Sequence, residues 1–168
     1  LYSVLNQVRR IKRRSETFID GHNIPRDCHA GVKNLLSQSH YENNVFIITP
    51  FRLDARYNAV INTIKNTLTS NGLKGYLAND LTIAPGRDLW DNVRSFMHSC
   101  KYGIAILTAH EEEREDGIVF HPQIFNPNVM TEVGYMMGLS KNLLILKDER
   151  VQLPSDWLGK LYENMNFK

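Results

Sequence analysis

Four short apolar runs, Val45–Ile48, Gly75–Ala78, Ile104–Leu107 and Leu143–Leu146, alternate with stretches whose apolar residues recur every three or four positions. Uninterrupted runs of this length suit strands covered on both faces, whereas the three-and-four spacing marks amphipathic helices. Tyr57, Val60, Ile61, Ile64 and Leu68 form one such helix, and Asn71-Gly72 supplies its stop. Leu89, Val93, Phe96 and Met97 line a second helix after a loop containing Pro85-Gly86, and a third runs from about Pro127 to Ser140. Near the end, Pro154-Ser155-Asp156 caps a short helix through Trp157, Leu158 and Leu161, and Asn166-Phe167 opens a fifth strand.

Two regions stand outside this rhythm. Residues 1–44 are polar, with Leu5, Val8 and Ile11 at helical spacing before the breakers Gly21, Asn23 and Pro25, which predicts a helix, a turn and a second short helix. They are expected to form an N-terminal extension or linker before a domain over 45–168. The stretch from about Thr108 to Asn126 is expected to be a long acidic and aromatic loop. Its Glu111-Glu112-Glu113-Arg114-Glu115-Asp116 run reads as a solvated surface, because no His sits at ligand spacing, and no metal site is expected.

Composition narrows the function classes. At 168 residues and 42% apolar, the chain can bury one full core. Twenty Lys plus Arg against eighteen Asp plus Glu give a charge of only +2, without the one-signed excess of a nucleic-acid or membrane-surface binder. Cys28 and Cys100 lack any zinc or disulfide spacing, which suits a reducing cytoplasm. No apolar run approaches the roughly 20 residues that span a bilayer. The chain opens on Leu1 rather than Met, as expected of a piece excised from a longer polypeptide that carries a fusion partner.

Parallel strands joined by helices place their ligands beyond the carboxyl ends of the strands. Three segments should meet there: Thr49–Arg56, Asn79–Asp88, and the loop ending Asn126-Pro127-Asn128. Within the helix that follows the last of these, Glu132 shares a surface with Asn128, Val129, Tyr135 and Met136 and should face the sheet. One turn from free backbone N–H groups and the positive helix end, it is expected to be an anion at neutral pH. Gly134 and Gly138 are expected to let backbone pack closely on the sheet or a ligand. Asn126 and Asn128 can cap the helix or hold ribose hydroxyls. Thr49, at the end of the first strand, Phe51, Trp90 and Tyr135 as stacking rings, Arg52 and Arg87 as pyrophosphate cations, and Asp80 as a hydroxyl acceptor or turn cap complete the candidate substrate site. There is no Gly-rich phosphate loop, which argues against hydride transfer and ATP hydrolysis.

The ordered set Asp80, Pro85-Gly86, Leu89-Trp90, Val93, Cys100 and Ile104–Leu107, then Asn126-x-Asn128-Val129, Glu132, Gly134, Gly138-Leu139 and Lys141, resembles the TIR and nucleoside deoxyribosyltransferase group. It covers roughly residues 45–167. Asn128 stands where many TIR domains carry Trp, which places the chain nearer the bacterial nucleotide-handling branch. Its first strand leads into Thr49-Pro50-Phe51-Arg52 rather than the usual Ser or Asp. The resemblance implies a flavodoxin-like α/β three-layer sandwich around a central, mainly parallel sheet of about five strands. It also implies that Glu132 is the residue on which glycosidic cleavage depends.

The activity implied by that resemblance is an NAD(P) glycohydrolase of a bacterial defence or signalling system, with NAD as substrate and no separate cofactor. The resemblance further implies activation by homo-oligomerisation through TIR-type contacts, with the loop Asp80–Asp88 of one protomer completing the site of the next. Expulsion of neutral nicotinamide from a cationic pyridinium needs no general acid, so one carboxylate beside the ribose can suffice. The alternatives are a nucleoside 2-deoxyribosyltransferase with Glu132 as nucleophile, or a non-catalytic nucleotide-sensing or TIR interaction module.

Overall fold

The computed structural model describes residues 2–50, 55–80, 88–123, 125–157 and 162–165. Its elements in chain order are α1 (Tyr2–Gly21), α2 (His29–Gln38), β1 (Asn44–Ile48), α3 (Ala55–Ser70), β2 (Lys74–Tyr76), α4 (Leu89–Ser99), β3 (Tyr102–Leu107), β4 (His110–Arg114), β5 (Gly117–His121), α5 (Pro127–Gly138), β6 (Asn142–Asp148) and β7 (Tyr162–Met165). Five strands form one parallel sheet in the order β2-β1-β3-β6-β7. With the β4–β5 hairpin set aside, this is the 2-1-3-4-5 order of the flavodoxin-like α/β fold.

By its internal contacts the chain gathers into two compact units, residues 1–46 with 68–101, and residues 47–67 with 102–168. In the first unit, β1 pairs with β2 in the register Val45↔Gly75 and Phe46↔Tyr76. The fully buried Phe46 and Phe96 rings stack at 5.8 Å, and Tyr76 lies 5.8 Å from Phe96. Residues 1–44 supply the helices α1 and α2, as expected. Ile19, Ile24, Cys28 and Val32 close a buried cluster, and α2 packs on both α1 and α4. The Arg94 guanidinium of α4 binds Asp27 and, within its own helix, Asp91.

The second unit is built on β3 and β6, paired from Tyr102↔Asn142 to Leu107↔Lys147. Val129, Val133 and Met136 recur at helical spacing on α5 and are all buried, and α5 packs on β3 and β6. Each fully buried side chain of this kind contributes roughly 1.5–3 kcal/mol. The helix ends where Ser140 turns to φ 53, letting Lys141 N–H reach Met136 O at 3.1 Å and Ser140 N–H reach Met137 O at 2.9 Å.

Two expectations are corrected, and a third lies partly outside the described residues. The stretch 108–126 contains an antiparallel hairpin, β4–β5, joined through Glu115-Asp116 with Arg114 opposite Gly117. The Glu-rich run hides a strand because it lacks apolar alternation, and its partner Gly117–His121 supplies the β-forming residues. The fifth strand of the sheet begins at Tyr162, opposite Ile145, rather than at Asn166. After Pro154 the described chain makes a single 3-10 turn, Ser155–Trp157, and residues 158–161 lie outside the described residues.

Candidate functional site

Asn126 caps α5. Its side-chain oxygen accepts the N–H groups of Asn128 at 3.0 Å and Val129 at 3.2 Å, while its carbonyl takes the N–H of Met130 at 3.1 Å. Pro127 has no N–H to satisfy. The open donors of the first turn are therefore already engaged, and Glu132, the sixth residue of the helix, sits a turn beyond them. Its side chain is drawn into the apolar face formed by Val129, Val133 and Met136, and the residue is only 9% exposed.

No cation and no hydrogen-bond donor among the described residues meets that carboxyl. Burial alone pushes its pKa from 4.5 up to about 7. The expectation of a fully ionised Glu132 at neutral pH is thus corrected: desolvation outweighs a helix dipole whose terminal N–H groups are capped. A second correction concerns Gly134 and Gly138. Both are exposed, and a methyl group at either position would meet nothing within 4 Å, so neither packs on the sheet.

The family described as CAP12/Pycsar effector protein, TIR domain, matches residues 44–167. The chain belongs to that family. Its members are effectors of bacterial defence. No curated protein matches this TIR domain. Among solved structures it is similar to a 2-desoxiribosyltransferase from Leishmania mexicana, with 18% identity and a TM-score of 0.46, over 62% of this chain and 64% of that enzyme. The chain therefore spans less than two thirds of the enzyme's length.

The other expected site residues of the TIR domain divide between the two units. Asn126, Asn128, Glu132 and Tyr135 are brought together on α5, with Asn128 exposed and Tyr135 half-buried. Thr49, in the same unit, comes directly after β1; its hydroxyl is enclosed and finds no hydrogen-bond partner among the described residues. Asp80 and Trp90 belong to the other unit. The exposed Asp80 closes its own turn, its carboxylate accepting Leu77 N–H at 2.8 Å, which is the capping role. Trp90, 38% exposed, lies in the first turn of α4, and Asp88 caps that helix by accepting Asp91 N–H at 2.8 Å. Phe51, Arg52 and Arg87 lie outside the described residues, as does most of the loop Asp80–Asp88.

One charged group in the second unit escaped the sequence reading. Asp148 ends β6 at 2% exposure, gripped by Arg150 through Nε at 2.8 Å and a terminal nitrogen at 2.6 Å. That guanidinium holds the Asp148 carboxyl below its usual range, and the Glu111 carboxylate stands 4.0 Å from the same Arg150 guanidinium. The signal was an acidic residue at the carboxyl end of a largely apolar strand, near where α/β sheets carry their ligand-facing groups. No helix among the described residues is long and apolar enough to cross a membrane.

Proposed function

We propose that this TIR domain cleaves the bond between nicotinamide and ribose in NAD or NADP, with Glu132 as the carboxylate beside the sugar. The observation that carries the reading is a 9%-exposed carboxyl, without a protein partner among the described residues, whose pKa burial raises to about 7. Structural carboxylates at such burial are normally paired or hydrogen-bonded, whereas a perturbed and unpaired one marks a candidate site of chemistry. A cationic pyridinium, and then an oxocarbenium-like ribose, would bring positive charge to this carboxyl. Ionisation of Glu132 becomes favourable as that charge develops, so the interaction is strongest in the transition state. The leaving nicotinamide is neutral and needs no proton. Glu132 can act through charge alone or as a nucleophile that forms a glycosyl-enzyme, as retaining glycosidases do.

Of the expected rings, Tyr135 shares α5 with Glu132, and Asn128 offers an exposed amide to a ribose hydroxyl. Assembly into a homo-oligomer, with the loop Asp80–Asp88 of one copy adding to the site of the next, and a sensor module that triggers it, belong to the same reading.

The test is incubation of concentrated protein with NAD, NADP and, separately, a deoxynucleoside plus a second base, then chromatography. Nicotinamide release that disappears in both Glu132→Ala and Glu132→Gln, with circular dichroism unchanged, is the expected result. Transfer of the sugar to the second base would identify a deoxyribosyltransferase instead. Absence of turnover under assembling conditions would leave a nucleotide-sensing or interaction module.

A further inference from the structure

Residues 1–43 lie outside the TIR match, yet they enclose a cleft of about 70 Å³ lined by Arg14, Ser15, Phe18, Leu36, Ser39 and Tyr41. Arg14, Ser15 and Phe18 stand on one face of α1, Leu36 comes from α2, and Ser39 and Tyr41 follow that helix. The Phe18 and Tyr41 rings lie 4.8 Å apart with their planes inclined at 48°, and His22 stacks on Phe18 at 4.0 Å. Both serine hydroxyls have already given their protons to backbone carbonyls, Ser15 to Lys12 O at 2.9 Å and Ser39 to Leu35 O at 3.1 Å. Arg14 is then the donor left to meet a ligand. Among the described residues its guanidinium makes a single contact, 3.5 Å to His40 Nε2, longer than the ~2.7–2.9 Å of a charge-assisted bond. The described lining contains no acidic side chain, and the exposed Lys12 and Arg13 precede Arg14 on the same helix.

We propose that this cleft binds a small anion built on one aromatic ring, a carboxylate or a phosphate ester, with its ring against Phe18, Leu36 and Tyr41 and its anionic group on Arg14. Size limits the class. A space of about 70 Å³ exceeds the ~10–15 Å³ that one water needs and falls below the ~300–1,000 Å³ of sites that enclose drug-sized ligands, so it takes one ring and excludes a dinucleotide. Chemistry sets the rest. A planar guanidinium meets two oxygens of a carboxylate or phosphate at once, and a flat ring gains offset or edge-on contact with Phe18 and Tyr41. The cleft and Glu132 belong to different compact units, and the assignment does not rest on the proposed glycohydrolase activity.

Isothermal titration of the whole chain with phenyl phosphate and with benzoate tests the assignment, and the tighter of the two identifies the anionic group. Inorganic phosphate and phenol, each carrying half of the chemistry, should bind about tenfold or more weakly than the better probe. Arg14→Gln removes the cation and should weaken that probe by about tenfold or more. Leu36→Trp fills the cleft and should abolish binding. Arg13→Gln removes the same charge from an exposed position outside the lining and should change the affinity by less than about twofold. Glu132→Gln should bind the probe as the wild type does. Circular dichroism of each variant checks that the fold persists. No binding of either probe, binding that survives both Arg14→Gln and Leu36→Trp, an equal loss in Arg13→Gln, or a loss in Glu132→Gln overturns the proposal.

Discussion

Replacing Glu132 by Gln keeps the shape of a buried side chain while removing its titration. In the folded chain burial raises the carboxyl pKa from 4.5 to about 7, so between those values the native state holds a proton that the unfolded state has released. Stability must then fall as pH rises through this window, and the full loss is present above pH ~7. At about 1.4 kcal/mol per pKa unit, the penalty on the wild type near pH 8 is about 3 kcal/mol. Gln carries no such penalty. The Glu132→Gln chain should therefore match the wild type near pH 4.5 and exceed it by about 3 kcal/mol at pH 8, a melting shift of roughly 2–4 °C per kcal/mol for a chain of this size. Urea denaturation of both proteins at pH 5, 6, 7 and 8 measures the difference, and other titrating groups cancel in it. A difference that stays flat with pH, or a variant less stable at pH 8, would show that Glu132 is ionised and compensated in place, and the account of its burial would fail.

The same titration shapes the activity expected of the domain. kcat/KM for NAD should rise about tenfold per pH unit below pH ~7 and level above it, reporting the ionised carboxylate of the free protein; a profile flat from pH 5 to 8 contradicts this. Gly134→Ala should stabilise α5 by about 0.5–1 kcal/mol in thermal melts, since the added methyl meets only open space. Destabilisation, or loss of NAD turnover, would mean that something approaches that face closely. Phe96→Ala, which empties the fully buried site between Phe46 and Tyr76, should cost about 3–5 kcal/mol in chemical denaturation.

The strands β1, β3 and β6 and the helices α3, α4 and α5 were readable in the chain because their patterns are local. Val45–Ile48 is apolar throughout and buried throughout, and Val129, Val133 and Met136 recur on the buried face of α5. Asn126 before Pro127 announced the cap that the structure contains. The hairpin was not readable, because Glu111–Glu113 has no strand character until Gly117–His121 lies beside it. Gly134 and Gly138 suggested close packing, but the face they occupy is decided by where α5 docks, and that face is open.

Sequence by itself determined the strand–helix alternation, the helix stops and caps, the placement of Glu132 on the apolar side of α5, and the resemblance to TIR domains, which the family match over 44–167 bears out. These depend on interactions within a turn or along a strand, where neighbours in the chain are neighbours in space. Tertiary structure alone decided that Glu132 loses its water and leans towards its neutral form, that Arg94 meets Asp27 across 67 positions, and that His110 pairs with His121. Desolvation, ion pairing and strand register each depend on which distant segments are brought together. One-dimensional spacing carries no record of that distance.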